Sequence, residues 1–120
     1  MNSSKIVSTF FQFQMELKLY HWRTFQYARH KSTDHLFERI SGSIDRFVET
    51  YMGNFGKRVD CSPSIQIRVF SDKNADKLLK EFCVFLVSLT PTFEKQTDLL
   101  TIRDELLADC RQTQYLFTLQ

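Results

Sequence analysis

The 120-residue sequence predicts an all-α fold, a four-helix bundle formed by residues 1–120 as one domain. Three observations predict it. Apolar residues recur at the 3,4 spacing of a core-facing helix in four separate stretches. Only three Gly and two Pro interrupt the chain, too few for a turn-rich β fold. Twelve Phe are spread throughout, and 42% of the residues are hydrophobic, enough for a modest core.

The elements follow in order. Ile6, Phe10, Phe13, Leu17 and Tyr20 define a first helix over 4–24, with His21 continuing the stripe. A bend at Thr24-Phe25-Gln26 leads to a second helix over 28–52. Leu36, Ile40, Ile44, Phe47 and Tyr51 form its core face, and Gly53-Asn54-Phe55-Gly56 ends it, because Gly readily takes the left-handed conformation past a helix end. Residues 54–71 form a connection of eighteen residues, long for neighbouring antiparallel helices. Its alternating Ile65-Gln66-Ile67-Arg68-Val69 has the pattern of a short strand. Ser71 is the expected N-cap of a third helix over 72–90, carrying Leu78, Leu79, Phe82, Phe85, Leu86 and Leu89 inward, with Pro91 after its end. Thr97-Asp98 caps a fourth helix over 97–118, where Leu99, Ile102, Leu106, Cys110, Thr113 and Phe117 keep the period.

Composition excludes several function classes. A formal net charge of +2 is too small to argue for nucleic acid, and Lys5 is the only basic residue before Lys18, so DNA binding is not expected. Cys61, Cys83 and Cys110 form no CxxC pair and are odd in number, which fits free thiols in a reducing compartment; Cys83 and Cys110 read as inert core thiols. Gln12, Gln14, Glu16 and Lys18 interrupt any signal-peptide core, and no stretch reaches transmembrane length. The expected setting is cytoplasmic, or a virion if the chain is viral.

The second helix carries the chemistry. His30, Asp34, Asp45 and Glu49 fall within an arc of about 100° on a helix turning about 100° per residue. Corresponding members of the two pairs lie fifteen residues, or about 22 Å, apart along the axis. A transition ion bonds N and O ligands at about 2 Å, so one chain cannot close a site from both pairs. A second copy packed antiparallel about a two-fold axis near residues 39–40 would place His30 and Asp34 opposite Asp45 and Glu49, with Ser41-Gly42-Ser43 allowing close approach. The alternative is a solvated polar face. His35 points about 100° away from Asp34 and is left out. Arg29, Lys31, Arg39 and Arg46 interleave with the ligands and either pair with partner carboxylates or solubilise the helix. Asp104, Glu105 and Asp109 form either an inner acidic surface or an ordinary solvated face.

The run His-x3-Asp-x10-Asp-x3-Glu (His30, Asp34, Asp45, Glu49), preceded by His21-Trp22, resembles the ferroxidase signature of the Dps-type mini-ferritins. That resemblance implies a ferritin-like four-helix bundle in which the second and third helices run parallel and 54–71 is the long crossover. It implies a metal site of His21, His30 and Asp34 from one subunit with Asp45 and Glu49 from its two-fold neighbour. His30, Asp34 and Glu49 would be the catalytic set, and Trp22 would pack beside the first ligand. Imidazole with carboxylates and no thiolate suits iron, with manganese or zinc as competitors. The implied reaction is oxidation of ferrous iron by hydrogen peroxide or dioxygen, as in defence against oxidative stress. The implied partner is a second copy through an antiparallel helix-2 dimer, extending to a dodecameric shell if this smaller subunit closes one. The segment between His21-Trp22 and His30 is shorter than in that family, and the basic N-terminal tail is lacking. The sequence also looks similar to small ferritin-like proteins of large DNA viruses. The competing class is a non-catalytic structural or virion interaction protein built on the same bundle.

Overall fold

The computed structural model describes residues 2–119. The chain forms α1 (Ser3–Arg23), α2 (Tyr27–Phe55), α3 (Ala75–Thr92) and α4 (Thr97–Leu116), with no strand among the described residues. In the bundle α1 packs on α2 and α3, and α4 packs on α2 and α3, leaving α1 diagonal to α4 and α2 diagonal to α3.

One cluster of side chains fixes the directions. Tyr20 at the end of α1, Arg29 at the start of α2, Asp72 just before α3 and Phe117 just after α4 meet at one end. The Tyr20 hydroxyl donates to Asp72 Oδ1 at 2.7 Å, Arg29 Nη1 donates to the Tyr20 hydroxyl and the Asp72 carbonyl at 3.1 Å each, and the Arg29 guanidinium lies 4.4 Å from the Phe117 ring centre. Helices α2 and α3 therefore both start at that end and run parallel. Residues 56–74 must travel back along the bundle, and they do so beside α1. The Ser62 N–H donates to Ser8 Oγ at 2.8 Å, Arg68 reaches Glu16, and Asp72 reaches Tyr20. One long crossover between helices two and three is the connectivity of ferritin-like bundles.

The four apolar stripes meet as expected. Ile6, Phe10, Phe13, Leu17 and Tyr20 of α1, Leu36, Ile40, Ile44 and Phe47 of α2, five of the six named α3 residues and all six of α4 are buried, while Tyr51 and Phe85 pack half-buried against them. Phe13 stacks on Phe82 with ring centres 3.8 Å apart, and Phe10 meets Phe47 edge-on at 5.4 Å. Phe70 from the crossover and Phe93 from the α3–α4 turn complete the core.

Several boundaries differ from expectation. Ser71 does not cap α3: its N–H and hydroxyl both bond Asn74 Oδ1, at 2.7 and 3.3 Å, closing a turn over 71–74, so the helix starts at Ala75 instead of 72. Pro91 lies inside the last turn of α3, where a fixed helical φ forgoes a single backbone bond and Phe93 N–H still reaches the Leu89 carbonyl. Gly53 is helical, and Gly56, at φ 67°, is the residue that ends α2. Gln96 takes the N-cap position of α4, and Asp98 accepts from Asn54 Nδ2 across to α2 at 2.9 Å. Residues 65–69 are not a strand, because no neighbouring strand is present to pair with. The Arg68 N–H instead donates to Glu16 Oε2 at 2.9 Å.

Candidate metal centre

The short α1–α2 turn sets His21, in the last turn of α1, against the first turn of α2. The two imidazoles stack, His21 on His30, with ring centres 4.0 Å apart and planes 16° from parallel. Each ring is held by the other residue's backbone. His21 Nδ1 donates to the His30 carbonyl at 2.7 Å, and His30 Nδ1 donates to the His21 carbonyl at 3.0 Å. A carbonyl only accepts, so Nδ1 must carry the proton in both rings, and a neutral ring then keeps its lone pair on Nε2. The Thr33 hydroxyl, which donates to the Arg29 carbonyl, is a second acceptor for His21 Nδ1 at 3.0 Å. Metal-binding histidines are commonly oriented in this way, by an acceptor on the nitrogen that does not bind.

His21 Nε2 points toward Asp34, 4.0 Å from Oδ1. Two ligand bonds of about 2.1 Å at tetrahedral or octahedral angles place their donors about 3.0–3.4 Å apart, so the two groups must close by up to about 1 Å to hold an ion between them. The His21 side chain is 7% exposed and that of Asp34 55%, which leaves the site dry on the imidazole side and open on the other. Burial, the largest influence, holds the His21 pKa below its ordinary value against the opposing hydrogen bond to the His30 backbone, with the His30 and Lys18 side chains adding to the lowering and Asp34 opposing it. Neutral imidazole, the form that binds metal, is favoured.

The second pair sits farther along the same exposed face of α2. Asp45 and Glu49, one turn apart, are both exposed, and the neighbouring Asp45 carboxyl raises the Glu49 pKa. Two carboxylates without a cation repel. The structure therefore groups His21, His30 and Asp34 at one end and Asp45 with Glu49 at the other. Among the described residues, no set of three or more His, Cys, Asp and Glu converges tightly enough to hold an ion.

Other residues are sorted by their contacts. His35 lies outside this group and lines a groove between α2 and α4 with Arg39, Asp109 and Gln112. Arg39 turns to α4, 3.0 Å from Gln112 Oε1 and 3.7 Å from Asp109 Oδ1, and Arg46 pairs with Glu105 at 3.7 Å. Asp104 pairs with Arg103 at 2.8 Å. Asp104, Glu105 and Asp109 each pair with an arginine of the chain, and the stripe of α2 is left to the candidate ligands. Trp22 does not pack beside His21: it is 68% exposed, with the Lys18 ammonium 6.0 Å from its ring centre.

Sequence reasoning passed over Thr33, fully buried beneath His21, and the apolar residues around the stripe. Phe11 and Met15 are about half exposed, and with Trp22 they line the outer side of α1 next to the ligand face, at spacings of four and seven residues. Helical spacing on the outer side of α1 was the available signal.

Among the described residues, no helix is long and apolar enough to cross a membrane. No solved structure matches the chain. Over 85 residues it is 29% identical to the "Uncharacterized 14.6 kDa protein in mobD-ri intergenic region" of Enterobacteria phage T4. That alignment covers 68% of this chain and 65% of the phage protein, so the chain spans just under two thirds of that relative's length. Residues 21–117, from the first histidine of the site to the end of α4, match a family of unknown function, DUF5856, and the chain belongs to that family.

Proposed function

We propose that the protein oxidises ferrous iron with hydrogen peroxide or dioxygen, at a site completed by a second copy of the chain. The observation that carries this reading is the reciprocal His21–His30 hydrogen bonding, which turns Nε2 of His21 toward Asp34 and keeps the lone pair of each ring on Nε2. Asp45 and Glu49 of a two-fold partner would supply the missing oxygen ligands, and a cation would relieve their mutual repulsion. Two ferrous ions give one electron each to peroxide, whose O–O bond breaks to leave two hydroxides. The protein's part is to hold the ions together, favour the neutral form of His21 and exclude water on its side. Manganese or zinc would compete for the same donors.

The exposed apolar stripe of α1 beside the ligand face supports a homodimer through this surface. Gly42 supports it too. It sits mid-helix, at ordinary helical φ, where an added Cβ would meet nothing within the chain, so its helix cost of about 1 kcal/mol has no intrachain reason. Close approach of a partner helix supplies one. Nothing in this arrangement depends on a closed shell or on DNA.

A second reading, a structural or virion interaction protein, is favoured by the same exposed aromatic surface and by the likeness to a phage protein. The experiment that separates the two follows ferrous oxidation by peroxide, for the metal-free chain, a Glu49→Ala variant and a blank. Saturable acceleration lost in the variant supports the shared site. Equal rates in all three leave the interaction protein, whose self-association should then persist in chelator.

A further inference from the structure

Arg103 sets the register between α3 and α4. Its Nη1 donates to the Leu86 carbonyl at 2.8 Å and to Thr90 Oγ1 at 2.9 Å. The helices are antiparallel, so seven residues forward from Arg103 on α4 faces seven back from Thr90 on α3. Those positions are Cys110 and Cys83. Both lie in the core cluster, Cys83 with 8% of its surface at the edge and Cys110 with none. The third thiol, Cys61, is exposed on the crossover beside Ser8, with its sulfur 3.4 Å from Ser8 Oγ, and belongs to a different part of the molecule.

We propose that Cys83 and Cys110 are a site of reversible oxidation, at which hydrogen peroxide closes an intramolecular disulfide that staples α3 to α4. The proposal is independent of the iron reading, since no group of the candidate metal centre takes part. The residues divide the work by position. Cys83 reaches the surface and attacks; Cys110 is sealed and resolves. The register set by Arg103 places the two thiols opposite each other between α3 and α4, and each influences the other's ionisation. Cys110 is the leading influence holding the Cys83 pKa below its ordinary value, with Arg111 helping, while Cys83 and burial push Cys110 far above. The nucleophile must meet peroxide from solvent, and of the two thiols only Cys83 has exposed surface, which assigns attack to Cys83.

The steps balance. The Cys83 sulfur attacks one peroxide oxygen, the O–O bond breaks, and a sulfenic acid and hydroxide form. The Cys110 sulfur then displaces the sulfenic hydroxyl. The two thiol protons leave with the two oxygens as two waters, and the two sulfurs give up two electrons to form one S–S bond. A thiol reductant reverses the net change.

The test uses the reduced Cys61→Ser chain, treated with hydrogen peroxide in the presence of a chelator and then denatured for thiol counting. The expected result is a fall from two titratable thiols to none, recovery on reduction, and a cross-linked peptide pair containing Cys83 and Cys110. Two thiols surviving, or conversion to sulfinic and sulfonic acids with no cross-linked peptide, would overturn the proposal. In the Cys61→Ser, Cys83→Ser chain, Cys110 is expected to stay reduced under the same treatment. Oxidation of Cys110 there at the original rate would overturn the assignment of Cys83 as the attacking thiol.

Discussion

His21 and His30 each donate Nδ1–H to the other's backbone carbonyl while their rings stack 4.0 Å apart, so one pair of side chains closes the α1–α2 turn and sets its own tautomers. The His21 carbonyl belongs to the last turn of α1, where backbone acceptors lack helical partners. His30 supplies that partner. Structure and candidate chemistry thus rest on the same two bonds.

The tautomers are open to direct observation. Long-range proton–nitrogen NMR of the metal-free protein above the histidine titration range should show both rings protonated at Nδ1, with Nε2 unprotonated. Titration with zinc, a redox-silent probe, should shift both Nε2 signals. An Nε2–H tautomer in either ring would count against the lock. His30→Ala should lower stability by about 1–2 kcal/mol in urea denaturation, the cost of one lost hydrogen bond and an unsatisfied carbonyl.

The acidic pair makes a prediction of opposite sign to the usual carboxylate. The Glu49 pKa is raised by Asp45, so in the metal-free fold the stability tied to Glu49 is present at low pH and is lost as pH rises through its folded pKa. Asp45→Asn should bring the Glu49 titration down toward the ordinary carboxylate range, followed by carbon NMR of the side-chain carboxyl. An unchanged midpoint would show that the two groups do not interact.

Asp72 behaves the other way. Burial pushes its pKa up, but hydrogen bonds from Thr24, Tyr20 and the Phe25 N–H, with the Arg29 charge, more than offset this and hold it below the ordinary value. Its contribution is therefore present above the unfolded aspartate pKa of about 3.9 and is lost as pH falls through the lower folded value. Thermal melts across that acid range should show wild type losing its advantage over Asp72→Asn. A constant gap between the two would remove Asp72 from the acid response.

Arg68 fastens the crossover. Its Nε and Nη2 hold the Glu16 carboxylate at 2.8 and 3.0 Å, its backbone N–H adds a third bond, and its Nη1 reaches Glu81 at 2.8 Å. The Glu16 side chain is 1% exposed, whereas that of Arg68 is 40% exposed. Removing the partner of a buried charge costs roughly 3–5 kcal/mol, and solvent at Arg68 places Arg68→Ala near the lower end, about 3 kcal/mol. Limited proteolysis at Arg58 should quicken with the substitution as the crossover loosens. Protection equal to wild type would mean that Phe70, the Ser62–Ser8 bond and the Asp72 cluster hold the crossover without Arg68.

Gly42→Ala should raise the stability of the dissociated, metal-free chain by about 0.5–1 kcal/mol, because its Cβ meets nothing and the helix gains. Gly42→Gln should weaken self-association, read by sedimentation. Unaltered association in the larger variant would move the dimer surface away from residues 41–43.

Hydrophobic period alone made four helices legible, since a stripe every three or four residues can be buried only on one side of a helix. Ile6 through Tyr20 and Leu99 through Phe117 sit inside as their spacing required. Spacing along α2 likewise separated His30 and Asp34 from Asp45 and Glu49, because rise per residue is a property of the helix and not of its surroundings. The ends of the elements were less legible: Ser71 had an equally good local partner in Asn74, and Pro91 cost only one bond where it stood. What lay beyond any reading of the chain was set by contacts between distant residues. The burial of Glu16 under Arg68, the turn of Arg39 toward Asp109, the exposure of Trp22 and the mutual grip of His21 and His30 each depend on which neighbour the packed helices bring within about 3–4 Å. Charge and hydrogen-bond energies fall off over such distances, so only the tertiary structure decided them.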